Sequence, residues 1–385
     1  MNLKIGLLND SFPPTIDGVA NCVKNYADII SDKYGTPTVI TPEYPHVIDN
    51  YPYEVYRYSS VKFRGKMPYR VGNPFAPASI IELKNKEFDI LHNHCPFASG
   101  LLTHYIAGKK TPIVFTYHTK FDIDIDNYVH NEQFNTISKK FILNNINFSD
   151  EVWCVSHGSI ESLRNLGYKG DVHVMPNGTD FKKGKANQDA VNTIKRIYRI
   201  DESTPIFAFC GRMMWYKNIK LILDGLNLLK NDGYNFKMLF VGGGPDRAAI
   251  EQYSNYLGLN HYVEFTGPIY DREKLRAIYS CTDMLLFPST YDTSGLVVKE
   301  AAACDCASLL VKNSCASEGI TDGVDGVLID ENPNSFAKAL AQVINTNGLF
   351  EKLGKAASEN IYFTWEQAVS KAYERYQYII DKKSK

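Results

Sequence analysis

The sequence predicts an α/β protein built from two parallel-sheet domains, and three observations carry that prediction. Short apolar runs rich in β-branched residues alternate along the whole chain with longer segments of helical periodicity. That alternation implies parallel sheets buried on both faces and joined by right-handed crossovers. At 385 residues the chain is long for one core, and two domains of under about 200 residues each are the natural division. A polar stretch, FKKGKANQ, interrupts the series after MPNGTD and reads as a linker.

In the first half, strands are expected at residues 3–8, 36–41, 54–58, 88–92, 112–117, 151–155 and 172–175. In the second half they are expected at 205–210, 236–241, 263–266, 284–287, 308–311 and 326–329. The first domain is therefore drawn over residues 1–182 and the second over 190–364. The tail, 365–385, is one amphipathic helix carrying Trp365, Tyr373, Tyr376 and Tyr378. So aromatic a helix needs a surface to pack on, and the first domain is the one expected. Neither an internal repeat nor a low-complexity tract is recognisable.

Composition narrows the class. The chain is 44% hydrophobic and 22% charged, which is ordinary globular usage. A net charge of −1 supplies no global field for nucleic acid. The eight cysteines are scattered, with Cys304 and Cys306 the only close pair. That spacing fits neither a zinc site nor a disulfide framework, so reduced cytosolic thiols are expected. The N-terminus, MNLKIGLLNDSFPP, reads as a strand and a turn, not a signal peptide. No run approaches the roughly 18 apolar residues that span a bilayer. The expectation is a cytoplasmic protein, at most peripheral on the inner face of the cell membrane.

The most informative stretch is residues 287–303, FPSTYDTSGLVVKEAAA. It sets Asp292 and Glu300 eight positions apart, with the turn Thr293-Ser294-Gly295 opening into an apolar helical run. A strand end, a turn rich in free backbone N–H groups and a helix start make an anion site. The acid before the turn can reach a neutral polyol beside that anion, and the acid one turn into the helix can take a second diol. A phosphate flanked by two diols describes a nucleotide sugar.

Other motifs add to this reading, each with a plainer alternative. Gly18 sits at the first strand–helix junction, where a ligand can approach backbone N–H groups; a structural turn would look the same. In TYHTKFD, His118 falls at the carboxyl end of a strand, the edge where open α/β sheets bind ligands. There it could hydrogen-bond a sugar hydroxyl or spread developing positive charge over its own carbonyl, or be a satisfied structural histidine. His92 and His94 have the spacing of a metal pair but no recognisable third ligand. CGRMMWYKN supplies Arg212 and Lys217, two cations able to neutralise a diphosphate; a solvated helix start is the alternative. VGGGPD lacks the third glycine of a dinucleotide loop and reads as a tight turn made for close packing. Residues 61–81 interleave Lys62, Arg64, Lys66 and Arg70 with Phe63, Met67, Tyr69 and Phe75 and contain no acid. Such a loop suits an anionic membrane surface, or is merely solvated.

Together these residues resemble the retaining glycosyltransferase family 4, of GT-B architecture, in which two Rossmann-like domains face a central cleft. The likeness runs in order through PPTIDGV, TYHT, GRMMWYKN, VGGGP, FTGPI and PSTYDTSGLVVKEA. The last matches the family's paired-acid motif. The resemblance implies Arg212, Lys217 and Gly18 on a donor diphosphate, with the backbone of Ser294, Gly295, Leu296 and Val297 on its distal phosphate. It implies Glu300 on the ribose, Asp292 on the donor-sugar hydroxyls, and His118 on the sugar-ring side of the transition state. There are three departures from the pattern. Asp292 stands where the family usually has Glu, Ser294 where it has an aromatic, and Asp305-Cys306-Ala307 where it has Gly-x-Pro. None removes a catalytic group.

The resemblance further implies retention of anomeric configuration, with no obligatory cofactor and no essential Mg²⁺, because protein cations offset the diphosphate. The closest likeness is to diacylglycerol glucosyltransferases, through TYHTKFD…DNYVH, the Arg70-Val71-Gly72 loop and NSCASEGI. A UDP-sugar donor, UDP-glucose first, and a membrane lipid acceptor follow as expectations. A soluble or polysaccharide acceptor is the alternative within the class, and a GT-B sugar-nucleotide epimerase the alternative outside it.

Overall fold

The computed structural model describes residues 2–15, 17–62 and 70–384. The chain forms two compact units, Met1–Asn177 with Trp365–Lys385, and Gly178–Thr364. The boundary lies just ahead of the polar stretch read as a linker, so Asp180 and Phe181 belong to the second unit.

In the first unit the order is β1 (Leu3–Leu8), α1 (Gly18–Lys33), β2 (Gly35–Pro42), β3 (Glu54–Tyr58), β4 (Ser60–Lys62), β5 (Arg70–Gly72) and α2 (Pro77–Asn85). Then come β6 (Ile90–Asn93), α3 (Ala98–Ile106), β7 (Ile113–Tyr117), α4 (Phe121–Tyr128), α5 (Glu132–Asn147), β8 (Glu151–Cys154), α6 (His157–Leu166) and β9 (Val172–Val174). Seven strands pair in the order β3-β2-β1-β6-β7-β8-β9, every pair parallel.

The second unit runs α7 (Gln188–Ile197), β10 (Ile206–Cys210), α8 (Ile219–Asn231), β11 (Lys237–Val241), α9 (Arg247–Tyr256), β12 (Val263–Gly267) and α10 (Arg272–Cys281). It continues with β13 (Met284–Leu286), α11 (Leu296–Ala303), β14 (Ala307–Val311), β15 (Gly326–Ile329), α12 (Pro333–Asn345) and α13 (Leu349–Asn360). Its six parallel strands are ordered β12-β11-β10-β13-β14-β15. Strands such as β10, β13 and β14 are apolar and buried almost throughout, as a sheet covered on both faces requires. Helix α8 shows the matching pattern: it buries Ile219, Ile222, Leu223, Leu226 and Leu229 at helical spacing.

Chain direction across each sheet reverses once, between β1 and β6 in the first unit and between β10 and β13 in the second. Ligands of doubly wound sheets bind beyond the carboxyl ends of strands at such switch points. The segments after β10 and β13 carry Arg212, Lys217 and Asp292; those after β1 and β6 carry the Gly18 turn and His94.

The last helix, α14 (Trp365–Ser384), returns to the first unit and buries Trp365, Tyr373 and Tyr376. Tyr373 stacks on Tyr34 at 4.5 Å between ring centroids, Tyr376 stacks on Trp153 at 5.5 Å, and its hydroxyl meets His92 Nδ1. Arg375 forks onto Glu151 at 2.7 and 2.9 Å. Tyr378, in contrast, stays 51% exposed. The described residues of 61–81, namely 61–62 and 70–81, are more regular than the loop their Pro/Gly content suggests. Strands β4 and β5 pair antiparallel, Lys62 opposite Arg70, and α2 starts with proline in its first turn. Among the described residues no helix is long and apolar enough to cross a membrane.

Candidate active site

After β10 the chain makes a short 3-10 turn, Trp215–Lys217, and enters α8 through Asn218 in the left-handed region. This segment is braced by the 241–246 loop. Gly211 N–H donates to Val241 O at 3.0 Å and Met213 N–H to Gly243 O at 2.9 Å. Asp246 accepts Trp215 N–H at 3.0 Å. A Cβ on Gly242 would stand 1.9 Å from Gly211 O, so the glycines of VGGGPD serve close packing of the two loops.

The brace presents Lys217, whose ammonium donates to both Asp292 oxygens at 2.6 and 2.9 Å. These side chains are only 12% and 23% exposed, so cation and first acid are held together. Lys217 also lies 5.6 Å from the centre of the Phe287 ring. Arg212, from the same loop, is exposed and makes no ion pair among the described residues. Beyond Asp292, Gly295 adopts φ +55° and begins α11 without any side-chain cap. A Cβ there would meet Ala316 Cβ at 2.8 Å. Ser294 Oγ is buried without a hydrogen-bond partner among the described residues. An uncapped helix start beside an unsatisfied hydroxyl is a place for ligand oxygens.

Glu300, one turn into α11, is 13% exposed on its side chain. Its Oε1 accepts from Arg272 Nη2 at 2.9 Å and its Oε2 from the Tyr279 hydroxyl at 2.9 Å. Arg272 also donates through Nε to Asp180 Oδ2 at 3.1 Å and lies 4.1 Å above the Phe181 ring. Burial would lower the Arg272 pKa, but Glu300 and Asp180 raise it above its ordinary value. Burial, then Cys210 and Glu300, push the Tyr279 phenol well up, so it remains a donor. Motif reading did not single out Asp180, Arg272 or Tyr279. Tyr279 lies seven residues beyond Arg272 on α10, two turns of one helix face, and only that spacing hinted at a shared target.

In the first unit, His118 directly follows β7, and its Nε2 lies 2.9 Å from His94 Nδ1. Burial pushes the His118 pKa down to about 3, and that of His94 well below its ordinary value, so both rings are neutral at physiological pH. His92 is not part of a metal pair with His94, because its two nitrogens face Tyr376 and Thr116. Ligand atoms of Cys22, His94 and His118 do lie within 4.8 Å of one another. Gly18 is the first residue of α1, whose N-terminus is capped by Asp17 through Ala20 N–H at 2.7 Å.

The basic loop is only partly described, because Arg64 and Lys66 lie outside the described residues. Lys62 is exposed. Arg70 is not offered to a surface: its guanidinium is spent on Ser60 Oγ at 2.7 Å and Ser60 O at 2.9 Å, tying β5 to β4.

Two parallel-sheet units, the second with acids, cations and an uncapped helix at its strand edge, have the architecture of the GT-B glycosyltransferases. Residues 16–183 match the family model for Glycosyltransferase Family 4, and residues 190–360 that for Glycosyl transferases group 1. The chain belongs to this family. It is 24% identical over 371 residues to the alpha-monoglucosyldiacylglycerol synthase of Streptococcus pneumoniae, covering 93% of this chain and 83% of that one. It is 22% identical over 405 residues to the synthase of the same name from Acholeplasma laidlawii, covering 100% and 99%. Among solved structures, Anabaena HepE in complex with UDP and glucose shares the fold, with a TM-score of 0.77 at 18% identity over 98% of this chain and 100% of that one.

Proposed function

We propose that the protein transfers glucose from UDP-glucose to a membrane lipid such as diacylglycerol, with retention of anomeric configuration. One observation carries the donor half. The uncapped start of α11, with the unsatisfied Ser294 hydroxyl, is bracketed in sequence by Asp292, paired with Lys217, and by Glu300. Arg212, Lys217 and the helix N-terminus offset charge building on the leaving diphosphate, a preorganised electrostatic effect. Glu300 takes the ribose hydroxyls and Asp292 those of the sugar, and His118 is assigned to the sugar-ring side of the transition state as an oxocarbenium-like ring develops. A neutral His118 suits that role, since an imidazolium would add positive charge beside a developing cation. The acceptor enters on the leaving-group face, and the departing phosphate takes its proton. Because these cations belong to the protein, Mg²⁺ has no obligatory part.

Two observations support a lipid acceptor. Two relatives that match nearly the whole chain are named for glucosyldiacylglycerol synthesis. Along α5 and its cap, Phe134, Ile137, Phe141 and Phe148 are 64%, 59%, 39% and 48% exposed. Their spacing of three, four and seven residues sets them on one face, with exposed Lys140 nearby. Exposed apolar residues in a stripe mark an interaction surface, and aromatic rings beside cations suit a peripheral site on an anionic membrane.

UDP release from UDP-glucose, with and without diacylglycerol in anionic vesicles, tests the proposal. Release stimulated by lipid, with glycolipid on extraction, supports it. Release stimulated only by a soluble glycan would move the acceptor, and an altered sugar nucleotide formed without any acceptor would favour the epimerase.

A further inference from the structure

We infer that Arg272 and Tyr279 are positioning residues that fix Glu300 as a two-pronged acceptor for a ribose diol and so set a preference for ribonucleotide over 2′-deoxyribonucleotide donors. The inference rests on Glu300 being the ribose carboxylate and adds what makes that carboxylate selective.

A carboxylate has two oxygens and about four lone-pair sites. In Glu300 each oxygen accepts one protein donor, Arg272 Nη2 on Oε1 and the Tyr279 hydroxyl on Oε2, both at 2.9 Å. Both oxygens therefore keep spare acceptor capacity, and the plane of the group is fixed by a donor on each side. Two vicinal hydroxyls can each take one oxygen. A donor lacking its 2′-hydroxyl leaves one oxygen of a mostly buried carboxylate short of a partner, and sites built to bind a hydroxyl reject analogues that lack it.

The two supports are themselves held. Tyr279 is fully buried, so its hydroxyl cannot swing away to solvent. Arg272 is clamped by Asp180 from the segment that opens the second unit and lies flat over Phe181. Neither serves merely to neutralise Glu300, because the Tyr279 phenol carries no charge and Arg272 is shared with Asp180. What they supply is orientation, and orientation is what discrimination between one and two hydroxyls needs.

Calorimetric titration of the intact chain with UDP and with 2′-deoxy-UDP tests this without sugar or acceptor. The wild type should bind UDP at least about tenfold more tightly than 2′-deoxy-UDP, the worth of one hydrogen bond to a charged group. In Tyr279→Phe and in Arg272→Gln the UDP affinity should fall and that ratio should shrink toward one, while 2′-deoxy-UDP binding changes little. Tyr279→Phe keeps the buried ring, so its fold is preserved, and its circular dichroism spectrum should match wild type. A ribo-to-deoxy ratio that stays at the wild-type value in both variants would overturn the positioning role, leaving the donor site standing. Equal binding of the two nucleotides by the wild type would overturn it as well. If UDP and GDP both fail to bind the wild type, the donor-site reading itself falls and this inference with it. Glu300→Gln separates the two cases: it should abolish the ratio wherever Glu300 is the diol acceptor.

Discussion

Replacing Asp292 by Asn should tighten binding of the nucleotide product while slowing transfer, two effects of opposite sign from one atom change. Lys217 is not free; its ammonium is 2.6 and 2.9 Å from the two Asp292 oxygens. A diphosphate reaching Lys217 must share that cation with the carboxylate. With phosphate and carboxylate on opposite sides of the ammonium, their charges would be about 5–6 Å apart, repelling by about 3 kcal/mol at an effective dielectric near 20. Asp292 is 23% exposed and Lys217 12%, so solvent and salt reduce this to about 1–2 kcal/mol, or about 5–30-fold in affinity. Asn keeps the shape and removes the charge, so UDP should bind tighter by that factor in a calorimetric titration. Hydrogen bonds from the donor sugar to a charged acceptor are worth about 1.5–3 kcal/mol, so turnover of UDP-glucose should fall about 10–150-fold. Weaker or unchanged UDP binding in Asp292→Asn would refute the shared-cation reasoning. Unchanged turnover would refute the sugar-side role.

The cation variants should move the other way. Arg212→Ala and Lys217→Ala each weaken UDP binding by about tenfold or more, judged by the worth of a charged hydrogen bond, and near-normal donor kinetics would remove the residue from the diphosphate site. Glu300→Ala should abolish transfer, measured as UDP release. Thermal stability should depend on pH through His92, His94 and His118, all held neutral by burial. The unfolded chain takes up protons that the folded chain refuses, so stability is complete above about pH 6.5 and is lost as pH falls toward 5.5, by about 1.4 kcal/mol per imidazole; melting temperatures flat between pH 7.5 and 5.5 would contradict this. Replacing Phe134, Ile137 and Phe141 together by Ser should cut co-sedimentation with anionic vesicles and leave UDP binding intact. Unchanged co-sedimentation would remove α5 from the membrane reading.

Much of the fold was legible because a doubly wound sheet announces itself locally. Each core strand is a short apolar run bounded by polar turns, and each expected range overlaps an observed strand of the two parallel sheets. The antiparallel pair β4–β5 was not legible, since three-residue strands carry no period and their proline- and glycine-rich surroundings read as loop. In the second unit, residues from separate motifs were brought together as the switch-point rule expects, Lys217 after β10 meeting Asp292 after β13. The supports of Glu300 escaped notice because nothing in DREKLRAIY distinguishes a solvated helix face from one that grips a carboxylate. That difference is tertiary: it depends on α10 packing beside α11 and on Asp180 arriving from far earlier in the chain.

The same limit explains why cation counting misjudges surfaces in this chain. Arg70 looked available for a membrane and is spent on Ser60, and Arg375 is consumed by Glu151. A guanidinium fork with a partner of fixed geometry gains more from two short hydrogen bonds than from a diffuse headgroup, so arginines near folded backbone tend to be internalised. Apolar side chains behave oppositely. On α5 the residues Ile142 and Ile146 go into the core, whereas Phe134, Ile137 and Phe141 stay in solvent, although all five belong to one helical run. Burial of the first pair leaves no core for the other three, and an aromatic stripe left in water is a standing cost at about 25 cal/mol per Å². A membrane removes that cost without needing a cation pattern at all, which is why α5, more than the basic loop, is the surface on which the lipid-acceptor reading should be tested.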